Sequence, residues 1–288
     1  MMEPEEENPM LEFEYARYET DGQVAIITLD RPQAANAQND KVLRELDECW
    51  VRAEEDPQVK VIVLRSTGKH FSSGHDMGPK PQEFLDNIRD VEWLYNRETR
   101  GYLHYAKRWR EVPKPSIAAV QGKCVAAGLM LCWPCDLIVA ADNAEFSDPV
   151  IFMGIGGGVE YQAHTWEFGA RKAKELLFTG GSLTAAEAER IGMVNKVVPL
   201  DQLEAATLEL AHRIAKQDSF ALRLAKRSVN QTLDTMGFSA AIEHGFDLHH
   251  YGHARSLTLG DKPTTNKGID DMKAKNRAAA EQDAANRG

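Results

Sequence analysis

The apolar positions of this chain change their spacing several times, and each change marks an element. Phe13 to Tyr18 and Val24 to Leu29 read as strand segments, and Asp21-Gly22 between them supplies the turn chemistry of a hairpin. Past Arg31-Pro32 the spacing becomes helical: Val42, Leu43, Leu46 and Trp50 share one face of a helix expected over about 40–53. The run Val59 to Leu64 is short and apolar throughout, as in a strand covered on both faces. Residues 66–78 read as a glycine-containing loop and 81–110 as a long helical stretch with many polar positions, including Glu92, Tyr95 and Tyr102 as possible pocket lining. Pro113-Lys114-Pro115 stops that helix, and a strand resumes over 116–120. A helix over 126–133 and a strand over 136–141 follow. Repetition of strand, turn, helix and strand predicts a layered α/β fold. Spacing alone leaves open whether it is a stacked β-β-α spiral or a doubly wound sheet.

From Glu160 onward the pattern is mostly helical. Thr184 with Glu187 three residues later forms a capping box, Gly192 closes that helix, and Val194 to Val198 reads as a short strand. Further helices are expected over 200–216, 220–233 and 239–257. The expected organisation is a disordered acidic tail over 1–10, an α/β core over 11–200, a helical region over 201–260 and a polar, alanine-rich tail over 261–288, read as a loosely held helix.

Composition narrows the function classes. At 288 residues and 43% apolar content the chain can bury a full core in one main domain, and no run reaches the roughly 18 apolar residues of a membrane span. The opening MMEPEEENPM has neither the basic leader nor the apolar core of a signal peptide, so a cytoplasmic location is expected. A net charge of -10 argues against a nucleic-acid partner. It does not exclude an anionic cofactor such as coenzyme A, which needs only a few local cations and backbone donors. The four cysteines Cys49, Cys124, Cys132 and Cys135 are too few for a disulfide scaffold and fit a reducing compartment. Cys132 and Cys135 have redox spacing, but they end an apolar run rather than open a helix after a strand, so they read as buried thiols. His244, His249, His250 and His253 resemble a metal site by number, and positions 249 and 253 share a helix face. No carboxylate pair with ligand spacing accompanies them, so helix packing or a wet subunit interface is the better reading and no metal is expected.

Two glycine-bearing turns follow buried strands: Phe71-Ser72-Ser73-Gly74-His75-Asp76-Met77, and Gly122 to Met130 with the run Val125-Ala126-Ala127-Gly128. Small residues let a ligand approach the backbone, and amides at a turn or helix start can converge on an oxyanion. These segments resemble the crotonase family of enoyl-CoA hydratases and isomerases. The resemblance covers about Val24 to Leu257. It rests on Arg31-Pro32 with Asn36-Ala37, Gly68-Lys69 leading into FSSGHDM, AAVQGKCVAAG followed by CDLIVAADNAEFSDP, and LLFTGGSLTAAEAERIGMVNKVVP.

That resemblance implies the β-β-α spiral with a C-terminal helical region, and an acyl-CoA thioester as substrate, with no prosthetic group. It implies that the amides of His75 and Ala127 hold the thioester oxygen while an enolate-like charge develops, with Gly128 supporting the tight helix start. It places the two hydratase glutamates at Met130 and Val150, which exchange no proton, so the proton carrier is expected elsewhere. Glu160 is the first choice, although direct spacing puts the family's third site at Gly158. Asp148, the His75 side chain and His164 are the others. Ser73 and Asp76 belong to the turn that meets the cofactor moiety, Asp76 holding the loop through backbone hydrogen bonds. Lys69 and Lys80 are the candidates for the CoA phosphates, although the family's usual basic position falls on Gly78. A homotrimer or dimer of trimers is implied, its C-terminal helices covering a neighbour's site. Two alternatives stay open: a CoA-thioester hydrolase of the same fold, and a catalytically silent acyl-CoA binding protein.

Overall fold

Strand runs that are apolar at every position need cover on both faces, and the chain supplies it. The computed structural model describes residues 13–258 together with 274, 277 and 278; the expected tails over 1–10 and 261–288 lie essentially outside that range. β1 (Ala16–Asp21) and β2 (Val24–Leu29) form the hairpin read from Asp21-Gly22. α1 (Asp40–Glu55) follows, its Asn39 side chain accepting from the Val42 amide, which satisfies one of the unpaired donors of the first turn. β3 (Val61–Ser66) starts two residues later than its apolar run suggested and pairs parallel with β2.

The helical stretch expected over 81–110 is a broken one. It comprises α2 (Gln82–Asn87), α3 (Val91–Glu98), a π-helical turn over Thr99–Leu103, and α4 (His104–Glu111). Asp90 caps α3, its carboxylate accepting from the amides of Glu92 and Trp93, and so restarts the helix there. Then come β4 (Ser116–Val120), β5 (Lys123–Val125), α5 (Leu129–Cys132), β6 (Leu137–Ala141) and β7 (Glu145–Ser147). After α6 (His164–Thr179) the chain runs through β8 (Ser182–Thr184), α7 (Ala185–Ile191) and β9 (Lys196–Val198). It ends in α8 (Leu203–Ala215), α9 (Ser219–Thr235) and α10 (Phe238–Thr258).

Among the described residues the large sheet has the order β1-β2-β3-β4-β6-β9, parallel from β2 onward, and a small sheet has the order β5-β7-β8. The chain therefore steps from large sheet to small sheet to helix and back, which resolves the topology left open by spacing in favour of the β-β-α spiral. Alternate residues explain the continuous apolar runs. Ala25, Ile27, Ile62, Leu64 and Ala118 face a core shared with α1 and α4. Val24, Ile26, Val61, Val63 and Ile117 face the other side, where Leu203, Ala211 and Ala215 of α8 cover them. The Thr184–Glu187 capping box forms as read. The strands β5, β7 and β8 have three residues each, too few to display a period.

Candidate active site

The small sheet brings the two glycine turns together. Ser72 and Cys124 form an isolated parallel bridge, with Ser72 N donating to Lys123 O at 3.2 Å and Val125 N to Ser72 O at 3.0 Å. Gly74 has φ +90°, and a Cβ there would stand 2.7 Å from Val125 O and 3.3 Å from Ala127 N. Only glycine permits both that conformation and that approach. Gln38, 2% exposed, clamps the arrangement from below: its side-chain amide donates to Ser72 Oγ at 3.0 Å and to Ala127 O at 2.9 Å. Ser72 Oγ in turn donates to Asn36 O and accepts from Gly74 N. The bridge between Gln38 and His75 uses Gln38 N to Gly74 O and Asp76 N to Gln38 O, both 2.8 Å. His75 N stands outside that ladder, as the middle residue of a parallel bridge must. Ala127 lies in the first turn of a short 3-10 segment, Ala126–Gly128, where amides have no intrahelical acceptor.

A cavity of about 510 Å³ opens beside these turns. Ala37, Ser73, His75, Val125 and Ala126 line one part of it, and Pro149, Val150, Met153, Ile155, Val159 and Glu160 another. Glu160 is 3% exposed; its Oε1 is 3.0 Å from His75 Nε2, and its Oε2 has no hydrogen-bond partner among the described residues. Burial by itself would raise this carboxyl, but the charges of His75 and His249 and the hydrogen bond from His75 outweigh it and hold the group below the usual carboxylate range. The His75 ring stacks on Tyr102 with centroids 3.9 Å apart, which fixes its orientation toward Glu160.

Other expected site residues are placed differently. Asp148 does not line the cavity. It is 2% exposed, and its Oδ2 accepts from Val159 N and meets His164 Nε2, each at 2.8 Å, so it fastens the loop that carries Glu160. Gly158, at φ +80°, has no room for a side chain, since a Cβ would meet His164 Cε1 at 2.6 Å. Asp76 pairs with Arg31 at 2.6 Å, a contact the sequence did not announce. Burial opposes its ionisation, but the Gly78 amide and the Arg31 guanidinium outweigh that and lower its pKa. Lys80 lines the cavity, with its ammonium on Asp76 O, and burial lowers its pKa; Lys69 is exposed and stands outside the cavity lining. Val150 lines the cavity, whereas Met130 borders a void of about 10 Å³ with His75, Tyr102 and Tyr105.

Sequence reasoning missed Glu98, the last residue of α3. It is 6% exposed and stands among the histidines of α10: its Oε2 is 3.6 Å from His249 Nε2, 3.2 Å from His250 Nε2 and 4.0 Å from His253 Nε2. The one available signal was a charged residue four positions after Leu94, on the buried face of the helix. Burial would raise Glu98, but the close approach of the His249 and His250 rings and the charge of His253 and His249 hold it well below the carboxylate range. Burial would lower His249, yet Glu160 and Glu98 raise it to about 9, while burial dominates at His253 and lowers it to about 4. His244, on the same helix, is exposed. The four cysteines are free and buried, and burial raises Cys49, Cys132 and Cys135, the state of inert thiols.

Comparison with known proteins adds to this geometry. A family model described as enoyl-CoA hydratase/isomerase matches residues 19–259. The protein EchA13 of Mycobacterium tuberculosis is 44% identical over 288 residues, spanning 91% of this chain and 89% of its own length. A solved structure of a probable enoyl-CoA hydratase from Mycobacterium smegmatis is 59% identical with a TM-score of 0.82, over 86% of this chain and 98% of that one. One from Mycobacterium thermoresistibile is 57% identical with a TM-score of 0.80, over 85% and 99%.

Proposed function

The chain belongs to the enoyl-CoA hydratase/isomerase family, and from that premise we propose that it moves a proton on an acyl-CoA thioester, with Glu160 as the proton carrier and the amides of His75 and Ala127 holding the enolate oxygen. The observation that carries this reading is the contact of Glu160 Oε1 with His75 Nε2 at 3.0 Å. It ties the carboxylate to the residue whose own main-chain amide is one of the two donors. Removal of a proton at Cα leaves its electron pair delocalised onto the thioester oxygen. Donors fixed at that oxygen then favour the transition state over the substrate, and one such donor contributes roughly 3 to 4 kcal/mol.

One carboxylate can take a proton from Cα and return it at Cγ, so migration of a double bond needs no further acid. Addition of water to a 2-enoyl thioester needs a base for the water and a proton for Cα. In that reaction His75, through its contact with Glu160, is the second carrier. The expected positions of the family's two glutamates carry Met130 and Val150, which supports a relocated proton carrier in either case. A homotrimer or dimer of trimers in a cytoplasmic, reducing setting belongs to the same reading, and four free buried thiols support it.

The test is a screen of 2-enoyl, 3-enoyl, β-keto and aryl CoA thioesters with the wild type and Glu160→Gln. Expected are turnover of an enoyl thioester and a loss of about 100- to 10,000-fold in kcat in the variant, with thioester affinity retained. Equal rates in the two proteins would remove Glu160 from the chemistry. Release of free CoA without isomer or hydrate would move the assignment to hydrolysis, and tight binding with no turnover to a silent binding protein.

A further inference from the structure

Burying a carboxylate among three imidazoles is costly unless something satisfies them together. Glu98 Oε2 and both ring nitrogens of His250 are buried without a hydrogen-bond partner, although Glu98 Oε2 has three histidine nitrogens within 4.0 Å. These nitrogens stand at ion-pair distance from Glu98 Oε2 without hydrogen-bond alignment to it, and those of His249 and His253 share a 3.0 Å hydrogen bond with each other. We propose that Glu98, His249 and His253 hold a divalent first-row transition-metal ion inside the cavity.

Four observations carry this. First, the ligand atoms of these three residues lie within 4.8 Å of one another, and all three residues line the cavity. Second, the spacing suits an ion. His249 Nε2, His253 Nε2 and Glu98 Oε2 form a triangle with sides of 3.0, 3.6 and 4.0 Å. The centre of such a triangle is about 2.1 Å from each corner, the length of a zinc bond to imidazole or carboxylate. Third, His249 Nδ1 donates to Gly158 O at 2.6 Å. That contact turns Nε2 toward the other two groups, so an ion that displaces the Nε2 proton would meet its lone pair there, as outer-shell partners of ligating histidines arrange. Fourth, a π-helical turn starts directly after Glu98, with His104 N bonded to Thr99 O, a local change of helix that recurs at functional sites.

Two imidazoles and one carboxylate form a donor set of intermediate softness, suited to Zn²⁺, Fe²⁺, Co²⁺ or Ni²⁺ rather than to Ca²⁺ or Mg²⁺. Three protein ligands leave coordination positions open. Glu160 Oε1 stands 3.8 Å from His249 Nε2, so it is placed beside those positions. Glu98 and the α10 histidines are about 150 positions apart in the chain, which is why residue spacing concealed the set.

Tag-free protein, stripped with a chelator and dialysed, is titrated with Zn²⁺ and with Co²⁺. Bound metal is counted by elemental analysis after equilibrium dialysis, and the visible absorption of bound Co²⁺ is recorded. The expected result is one ion per chain in the wild type and in His244→Ala, which alters only an exposed histidine. Affinity should fall at least about tenfold in Glu98→Gln and His253→Asn, with loss of the cobalt spectrum. Removal of Glu98 can impair folding; His253, whose side chain is 13% exposed, gives the second and milder variant, and circular dichroism checks both. Absence of stoichiometric metal in the folded wild type overturns the proposal and leaves a proton shared between His249 and His253. Equal retention in folded His253→Asn overturns it as well. The readout needs no substrate, so it stands or falls apart from the thioester chemistry.

Discussion

Gln38 shows how a residue that touches no substrate can set the chemistry. Its side-chain amide bonds Ser72 Oγ and Ala127 O at once, so it fixes the distance between the turns that carry the two proposed oxyanion donors. Gln38→Leu keeps the volume and removes both bonds. It leaves Ala127 O without its side-chain donor and frees one turn against the other. The expected effect is a loss of roughly 100-fold or more in kcat, of the order of removing one oxyanion donor, with a much smaller change in KM, read by steady-state kinetics on whichever thioester turns over. An unchanged kcat would mean that the turns hold their distance without the clamp. The turns themselves were legible, because glycine and alanine runs after buried strands are local features. Gln38 was not legible, because its partners lie 34 and 89 positions away and a lone glutamine looks like any polar loop residue. Glu98 was hidden for the same reason, and the absence of metal expected from the histidine spacing depended on not seeing it.

At the scale of elements, the loop between β7 and α6 decides where Glu160 stands, and a buried carboxylate–imidazole hydrogen bond holds that loop. Asp148 accepts from Val159 N and from His164, and both side chains are almost completely buried. His164→Phe fills the space but withdraws one hydrogen-bond partner from a buried carboxylate, so a destabilisation of about 1 to 3 kcal/mol is expected in urea unfolding. Asp148→Asn keeps an acceptor for Val159 N. At a temperature where it is folded, it should keep turnover within about tenfold, whereas a proton carrier would lose at least about 100-fold. The Arg31–Asp76 pair gives the first glycine turn a pH dependence of known sign. Asp76 is lowered in the folded chain, where Arg31 and Lys80 face it, so its contribution to stability is present above the ordinary aspartate range and fades as pH falls through the lowered value. The difference in urea midpoint between wild type and Asp76→Asn should therefore shrink below about pH 4. A gap that stayed constant down to the lowest folded pH would refute the linkage. Elements with long apolar runs were readable from spacing, as was β9 at the end of the apolar stretch Val194 to Val198, and the three-residue strands β5, β7 and β8 were not. The break of the 81–110 stretch depends on the Asp90 cap and the π turn, which a helical pattern with many polar positions does not reveal.

At the scale of the whole molecule, α9 poses an energetic problem. Over its 17 residues none is buried, while Phe220, Leu224 and Val229 are 63%, 48% and 62% exposed, and Met236 just past its end is 65% exposed. A helix of that length gains most of its stability from packing an apolar face, and here the described residues cover little of it. The homotrimer expected from the family resemblance would supply the cover, since each copy brings the same apolar positions to a symmetric contact. Light scattering coupled to gel filtration should then give a mass of three or six chains. Phe220→Asp combined with Val229→Asp should shift it toward one chain and lower Tm by several degrees, because the stability of such an assembly depends on protomer concentration. If the wild type runs as a monomer with the same Tm as the double variant, α9 is held by its few contacts within one chain, and the proposed assembly is wrong.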